Sequence, residues 1–166
     1  MNIGFAPIID EKSKVLILGS FPSVKSREVG FYYGNPQNRF WHMLSEWSGE
    51  NIVKETPEEK KDFLLSHNIA LWDVIEKCDV KGSSDSDIND KNSIPVDLSS
   101  VLSVPHDLKL IICNGKKAYS IFTETCKHPN VETIYLSSTS PANPRFDKTK
   151  WFDALDFALG KRDSIR

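Results

Sequence analysis

Neutral hydrogen-bonding side chains collect at separate places along the chain, and aromatic residues lie among them. The polar members are Ser20, Ser23, Asn35, Asn38, Asn114, Ser138, Thr139, Ser140 and Asn143, and the aromatic members are Phe21, Phe31, Tyr32, Tyr33, Phe40 and Trp72. An amide presents a donor and an acceptor to the edge of a nucleobase, while an aromatic ring stacks on its face. The set therefore indicates a nucleobase pocket, although Asn35-Pro36 is also typical of a turn and Phe40-Trp41 of a core.

A stiff loop of small residues, Ser137 to Pro144, follows the last apolar run of the chain. Its hydroxyls and backbone N–H groups suit contact with a phosphate. Arg145, Lys148 and Lys150 come directly after it, and Lys116-Lys117 open a predicted helix. A local positive rim can therefore exist although the net charge is −2 and the pI is about 6.1. The alternative is an ordinary turn followed by a solvated helix start.

Most standard motifs of catalysis and metal binding are absent. The chain has no GxGxxG, P-loop, HExxH or GxSxG pattern, and its histidines suggest no shared site. Three widely spaced cysteines fit neither a disulfide framework nor a cysteine metal site. The polar stretch Lys81–Ser93 imitates the opening of a calcium loop but lacks the glycine and the closing glutamate, so we interpret it as a loop. We predict no metal and no cofactor.

The composition is that of an ordinary globular protein, with 27% charged and 39% hydrophobic residues among 166. We expect a single domain over residues 1–166. No run of about 18 apolar residues is present, and the N-terminus lacks the features of a secretory signal. The sequence thus predicts a cytoplasmic protein with no membrane segment, and we expect a monomer.

Strand-like and helix-like patterns alternate along the chain. The predicted strands are Lys14–Gly19, Ile69–Val74, Leu108–Cys113 and Val131–Leu136, and the predicted helices are Gln37–Ser48, Thr56 to about His67, Leu98–Val104, Gly115–Thr125 and a last one burying Trp151, Leu155, Ala158 and Leu159. This alternation favours an α/β fold with a parallel sheet covered on both faces. In such sheets a ligand binds beyond the carboxyl ends of the strands, which is where the polar and aromatic residues fall.

Five segments in this order resemble the uracil-DNA glycosylase superfamily, and within it the hypoxanthine (deoxyinosine) DNA glycosylases. They are GSFPS after the first strand, YYGNPQNRFW, LWDVIEKC, ICNGKKA and STSPAN. The resemblance covers nearly the whole chain. It implies a three-layer α/β/α sandwich around a central four-stranded parallel sheet. It also implies excision of a deaminated base that is flipped out of DNA.

The resemblance also implies roles for individual residues. In many relatives the first loop holds an Asp or Asn that positions the attacking water, but here Phe21 occupies that place and Ser20 can only hydrogen-bond. The hypoxanthine-type members share this loss, which moves catalysis to an asparagine of the second segment. We take Asn38 as the first choice and Asn35 as the second.

The remaining site residues are carried over from the same resemblance. Phe21 and Ser23 are expected to contact the base, Phe40 to stack on it, Asp73 to bind its edge and Asn114 to touch a purine. Contact with the DNA backbone is expected from Ser138, Thr139, Ser140, Pro141, Asn143 and Arg145. The partner is then double-stranded or single-stranded DNA that contains a deaminated base. Three cysteines at these spacings exclude the iron–sulfur cluster that other superfamily members bind.

Three other functions stay open at the level of the sequence. One is a superfamily member that prefers uracil or thymine mismatches. Another is a catalytically silent nucleic-acid-binding module, because Phe21 replaces the expected acid. A small-molecule hydrolase that uses Ser20 or Ser23 is the least favoured, since no histidine partner is evident.

Overall fold

The protein is described from a computed structural model, which covers residues 2–79, 93–103, 106–127 and 129–165. Its elements in chain order are β1 (Asn2–Ile3), β2 (Val15–Gly19), α1 (Val24–Val29), α2 (Phe40–Ser48), α3 (Pro57–Ser66), β3 (Ile69–Asp73), β4 (Ile75–Cys78), β5 (Ile94–Pro95), α4 (Leu98–Leu102), β6 (Leu110–Asn114), α5 (Lys116–Thr125), β7 (Glu132–Leu136) and α6 (Lys148–Ala158). Most of the predicted Lys81–Ser93 loop, and the predicted end of the Leu98–Val104 helix (α4) at Val104-Pro105, lie outside the described residues.

A four-stranded parallel sheet in the order β3-β2-β6-β7 forms the centre of the fold. Val15 at the start of β2 pairs with Ile69 of β3 on one side and with Leu110 of β6 on the other. Every residue of β2 and β6 is buried. Strands buried on both faces are typically continuous apolar runs, which explains why the sequence predicted these two strands correctly.

Each face of the sheet carries its own core. Side chains of Val15 and Ile17 pack with those of α2, α3 and α6, among which Trp151 is completely buried. The alternate residues Leu16 and Leu18 pack with α4 and α5 on the opposite face. The fold is therefore the predicted three-layer α/β/α sandwich.

A small antiparallel sheet in the order β1-β4-β5 was not predicted. Two of its strands have only two residues, which is too short for any periodic pattern. Helix α1 was also missed because it has six residues, and it begins where the Ser23 side chain accepts a hydrogen bond from the Ser26 N–H.

Side chains predicted to cap helices do so in the structure. Thr56 and Glu59 form the predicted capping box at the start of α3, with Pro57 in the first turn. Asp97 accepts a hydrogen bond from the Ser100 N–H at the start of α4. Among the described helices, none has the length and apolar character needed to cross a membrane.

Candidate active site

The carboxyl ends of the four parallel strands surround one cavity of about 160 Å³. Chain order reverses between β2 and β6, and the cavity lies at this switch point, where open α/β sheets bind their ligands. Its lining consists of Gly19, Ser20, Phe21, Pro22, Ser23, Ser26, Tyr32, Tyr33, Asn35, Asn38, Asp73, Asn114, Ser138, Thr139, Ser140, Pro141 and Ala142. Residues far apart in the sequence therefore meet here.

Two asparagines of the segment before α2, Asn35 and Asn38, line the cavity. Asn38 Oδ1 accepts a hydrogen bond of 2.9 Å from the Phe40 N–H, and Asn35 Oδ1 accepts one of 3.0 Å from the Gln37 N–H. Because backbone donors fix both oxygens, the two Nδ2 groups remain as hydrogen-bond donors. The Asn35 carbonyl also accepts from the Asn38 N–H at 2.9 Å, which joins the two residues in one turn.

Tyr33 covers the ring that was predicted to stack on a base. Its ring lies on that of Phe40 with 4.1 Å between the centroids and 23° between the planes. Phe40 has no exposed surface and does not line the cavity, whereas Tyr33 does. This arrangement differs from the stacking role predicted for Phe40, because the core of the protein encloses this side chain. Tyr33 and its neighbour Tyr32 are the aromatic residues of this segment that line the cavity.

Asn114 lines the cavity, but its amide is occupied within the protein. Oδ1 accepts the Thr139 N–H at 3.0 Å, while Nδ2 donates to Thr139 Oγ1 at 2.9 Å and to the Tyr33 hydroxyl at 3.1 Å. These bonds use both N–H donors of the amide and one of the two lone pairs on its oxygen. In this arrangement Asn114 holds the loop after β7 and the Tyr33 hydroxyl in place, which differs from the predicted contact with a purine.

Asp73 and Tyr33 approach each other over Gly19. A Cβ atom placed on Gly19 would lie 2.6 Å from Asp73 Oδ1 and 2.8 Å from the Tyr33 hydroxyl oxygen, so a side chain at position 19 would separate them. Asp73 is 5% exposed. Burial, and after it the nearby Asp73 and Tyr33, raise the pKa of Tyr32, so that Tyr32 stays a neutral phenol. Its hydroxyl donates to the Ala6 carbonyl at 2.8 Å.

Comparison with known proteins identifies the family of this chain. A family model described as the uracil DNA glycosylase superfamily matches residues 6–156. The chain belongs to this superfamily. A Methanosarcina acetivorans protein named hypoxanthine DNA glycosylase is 40% identical over 147 residues, which are 89% of this chain and 91% of that protein. A Methanosarcina barkeri protein of the same name is 34% identical over 156 residues, or 92% and 96% of the two chains.

A solved structure supports the same assignment. The solution NMR structure of a Methanosarcina acetivorans protein, assigned provisionally as a uracil DNA glycosylase, has a TM-score of 0.80 and 35% sequence identity to this chain. The aligned region covers 94% of this chain and 97% of the chain in that structure. Together the comparisons confirm the predicted family, its fold and a DNA N-glycosylase function with DNA as the partner.

The first loop of this superfamily member, after β2, offers little acid–base chemistry. Ser20 and Phe21 line the cavity, and the Ser20 carbonyl is held by the Ile75 N–H at 3.1 Å. Phe21 has Arg27 at 5.9 Å from its ring centre. Ser23 also lines the cavity, but its side chain caps α1 and donates to the Ser26 hydroxyl at 3.1 Å. Asp73 is the one carboxylate among the residues that line the cavity.

The loop after β7 is tied to α2 by Arg39, which the sequence analysis did not single out. One guanidinium nitrogen donates to the carbonyls of Ser140 at 3.0 Å and Asn143 at 2.8 Å, and the Arg39 N–H donates to the Thr139 carbonyl at 3.0 Å. Asn143 Nδ2 donates to the Ser138 carbonyl at 2.9 Å. Arg39 and Asn143 therefore shape this loop from within.

The residues predicted to contact DNA divide into two groups. Ser138, Thr139, Ser140 and Pro141 line the cavity. Asn143 does not, since both ends of its amide serve the loop: Oδ1 accepts the Arg145 N–H at 3.1 Å. The Arg145 side chain is exposed at the end of the loop. In the part of the chain that the structure describes, no group of three or more His, Cys, Asp or Glu side chains could hold a metal ion.

Proposed function

We propose that this superfamily member is a monofunctional glycosylase that excises hypoxanthine from deoxyinosine in DNA and acts as a monomer. The observation that carries the proposal is the pair of amide donors from Asn38 and Asn35 in a cavity lined mainly by neutral groups. Both relatives named hypoxanthine DNA glycosylase support the choice of base.

The reaction breaks the bond between C1′ of the sugar and the base nitrogen. The bonding electrons leave with the base, and the sugar becomes oxocarbenium-like. Water then adds to C1′, and the proton that it loses is balanced by protonation of the departed base, which gives free hypoxanthine and an abasic site. A donor from Asn38 Nδ2 to the departing base stabilises its developing negative charge, and one such preorganised donor is worth about 10²–10³ in rate.

In this proposal, stabilisation of the leaving base accounts for most of the rate enhancement. Phe21 stands where many relatives hold a water-positioning Asp or Asn, and the neutral hydroxyl of Ser20 only hydrogen-bonds. Flipping the nucleotide out of the duplex costs a few kcal/mol, and least for a mispaired base. Mispaired deoxyinosine is therefore favoured before any contact with the base forms.

Single-turnover cleavage of duplexes that contain inosine, uracil, xanthine or a thymine mismatch tests the proposal. We expect the wild type to act fastest on inosine. Asn38→Asp keeps an oxygen for the Phe40 N–H but removes the donor, so excision should fall at least 100-fold while the melting temperature is retained. Asn51→Asp, an exposed site outside the cavity, is the matched control and should act as the wild type.

Other outcomes of the same panel would point elsewhere. Faster cleavage of uracil or of thymine mismatches would favour the superfamily alternative. Salt-sensitive DNA binding with no cleavage of any duplex would favour a silent binding module. Full activity of Asn38→Asp would remove Asn38 from catalysis, and Asn35→Asp would then be the next variant to test.

A further inference from the structure

Two tyrosines form an aromatic pair on the outer edge of the central sheet. Tyr135 lies on the edge strand β7, and its ring centre is 5.0 Å from that of Tyr119 on α5, with 47° between the two planes. Tyr135 pairs with Cys113 of β6, whose side chain packs on the α5 face of the sheet. Tyr135 is 45% exposed and Tyr119 is half-buried. The pair therefore offers an aromatic surface that the protein only partly covers.

This tyrosine pair lies beside the loop that lines the cavity. Tyr135 precedes Ser138 by three residues, which span at most about 11 Å. A Cβ atom placed on Gly115 would lie 3.2 Å from the Ser138 Cβ, so the start of α5 touches the same loop. The Tyr119 N–H donates to the Gly115 carbonyl at 3.3 Å, which places Tyr119 one helical turn further on. Because Ser138 lines the cavity, the aromatic surface continues from the cavity wall.

The charge next to the tyrosine pair suits a nucleic-acid backbone. Lys116 is exposed and lies three positions before Tyr119, on the same face of α5. Glu132, at the other end of β7, points to the opposite face of the sheet from Tyr135, because successive side chains of a strand alternate. Proteins that bind single strands combine basic side chains with aromatic rings on which unpaired bases stack. A base inside a duplex is already stacked on both sides, so this surface selects unpaired bases.

We propose that the tyrosine pair binds an unpaired base that flanks the flipped nucleotide, with Lys116 beside the phosphate of that nucleotide. The surface thereby gives the protein a grip on single-stranded DNA, in which no complementary strand holds the flanking bases in place. DNA is the occupant because it is the partner of this superfamily member and because the surface continues from the cavity. The inference does not depend on which base is excised, since a flanking base is not cleaved.

Binding of DNA that contains no lesion tests the surface separately from catalysis. The probes are a short fluorescein-labelled single strand and a long duplex that contains the same sequence, and anisotropy gives the Kd of each. Tyr135→Leu keeps an apolar contact with Tyr119 and removes the stacking face. From the strength of base–aromatic stacking, the Kd for the single strand should rise at least about fivefold, and that for the duplex less than about twofold. Tyr135→Phe keeps the ring and should bind both probes as the wild type does.

Salt dependence separates the contribution of the ring from that of the charge. Tyr135→Leu removes no charge, so the slope of log Kd against log salt for the single strand should stay as in the wild type. Lys116→Gln should reduce this slope by about 0.7, the value for one phosphate contact on a single strand. Ile3→Ala is the matched control for loss of exposed apolar surface, because Ile3 is 64% exposed on β1 and does not line the cavity. It should change neither Kd nor slope.

Equal weakening of both probes by Tyr135→Leu, or weakening of neither, would overturn the inference. If Tyr135→Leu does not fold, the wild type is photo-crosslinked to a single strand that contains 5-iododeoxyuridine. A cross-link to Tyr119 or Tyr135 would support the inference, and cross-links only at other residues would refute it. A second copy of the chain is the other possible occupant of this surface. A wild-type dimer that Tyr135→Leu converts to a monomer, with unchanged DNA binding, would also refute the inference.

Discussion

Arg39 should control the loop after β7, and Arg39→Met tests this. The substitution keeps an unbranched stem beside Phe146, whose ring centre lies 5.5 Å from the guanidinium carbon. It removes the two hydrogen bonds to the carbonyls of Ser140 and Asn143. The backbone bond from the Arg39 N–H to Thr139 remains. The change therefore affects the side-chain tether and leaves the strands intact.

The size of the effect follows from the bonds that are lost. A hydrogen bond to a charged group is worth about 1.5–3 kcal/mol. Because Arg39 is half-buried, water replaces part of the lost hydrogen bonding. We therefore expect the unfolding free energy to fall by about 2–3 kcal/mol for the two bonds together. At about 2–4 °C for each kcal/mol, the melting temperature should fall by about 5–10 °C. For a loop that opens independently, the ratio of the closed to the open form would fall by about 30–150-fold.

Three measurements check this expectation. Thermal unfolding gives the stability, hydrogen exchange follows the Asn143 amide that bonds to the Ser140 carbonyl at 3.0 Å, and single-turnover cleavage gives the activity. We expect faster exchange at Asn143 and at least tenfold slower excision. Arg162→Met is the matched control, since Arg162 pairs with Asp153 and lies outside the cavity. Arg39→Met with unchanged exchange and activity would show that the loop does not depend on this tether.

Four further outcomes follow from single contacts. Gly19→Ala should cost about 1–3 kcal/mol and slow excision, because its Cβ would meet Asp73 Oδ1 at 2.6 Å, and normal kinetics would contradict the close approach. Thr56→Ala should lower the unfolding free energy in urea by about 1 kcal/mol through loss of the capping box. Burial raises the pKa of the Cys113 thiol to about 12, so a thiol reagent at pH 8 should label it only after denaturation. Because the pKa of Tyr32 is raised in the folded state, its contribution is complete below the unfolded value of about 10 and is lost at higher pH, so the melting temperature should decline above pH 10 more steeply than in Tyr32→Phe.

The strands of the central sheet could be predicted from the sequence, because strands buried on both faces are continuous apolar runs. Predicted and observed strand bounds differ by at most two residues, as at Lys14–Gly19 against Val15–Gly19. The capping box was equally accessible, since all its contacts are made within four residues. The small second sheet was not, because long-range pairing alone defines strands of two residues.

The sequence predicted that the site lies at the strand ends, but it did not predict which side chains contact one another there. Tyr33 has a backbone φ of 51°, a rare value for a non-glycine residue, and its ring stacks on that of Phe40. The engagement of Asn114 depends on Thr139, which lies 25 positions later in the chain. Neither fact has a local signature, so the resemblance supplied Phe40 and Asn114 as base contacts where the structure gives them other roles.

The parallel pairing of β2 also bears on how the protein acquires its activity. Val15 must find Ile69 and Leu110, both distant in sequence, before β2 has either neighbour. Chains dominated by such non-local pairing fold slowly, since loop-closure entropy is lost before the contacts form. The cavity draws residues from position 19 to position 142, so it is complete only when every strand is in register. In a refolding experiment, recovery of excision should therefore trail the recovery of helical signal, and the assay would report the last step of folding.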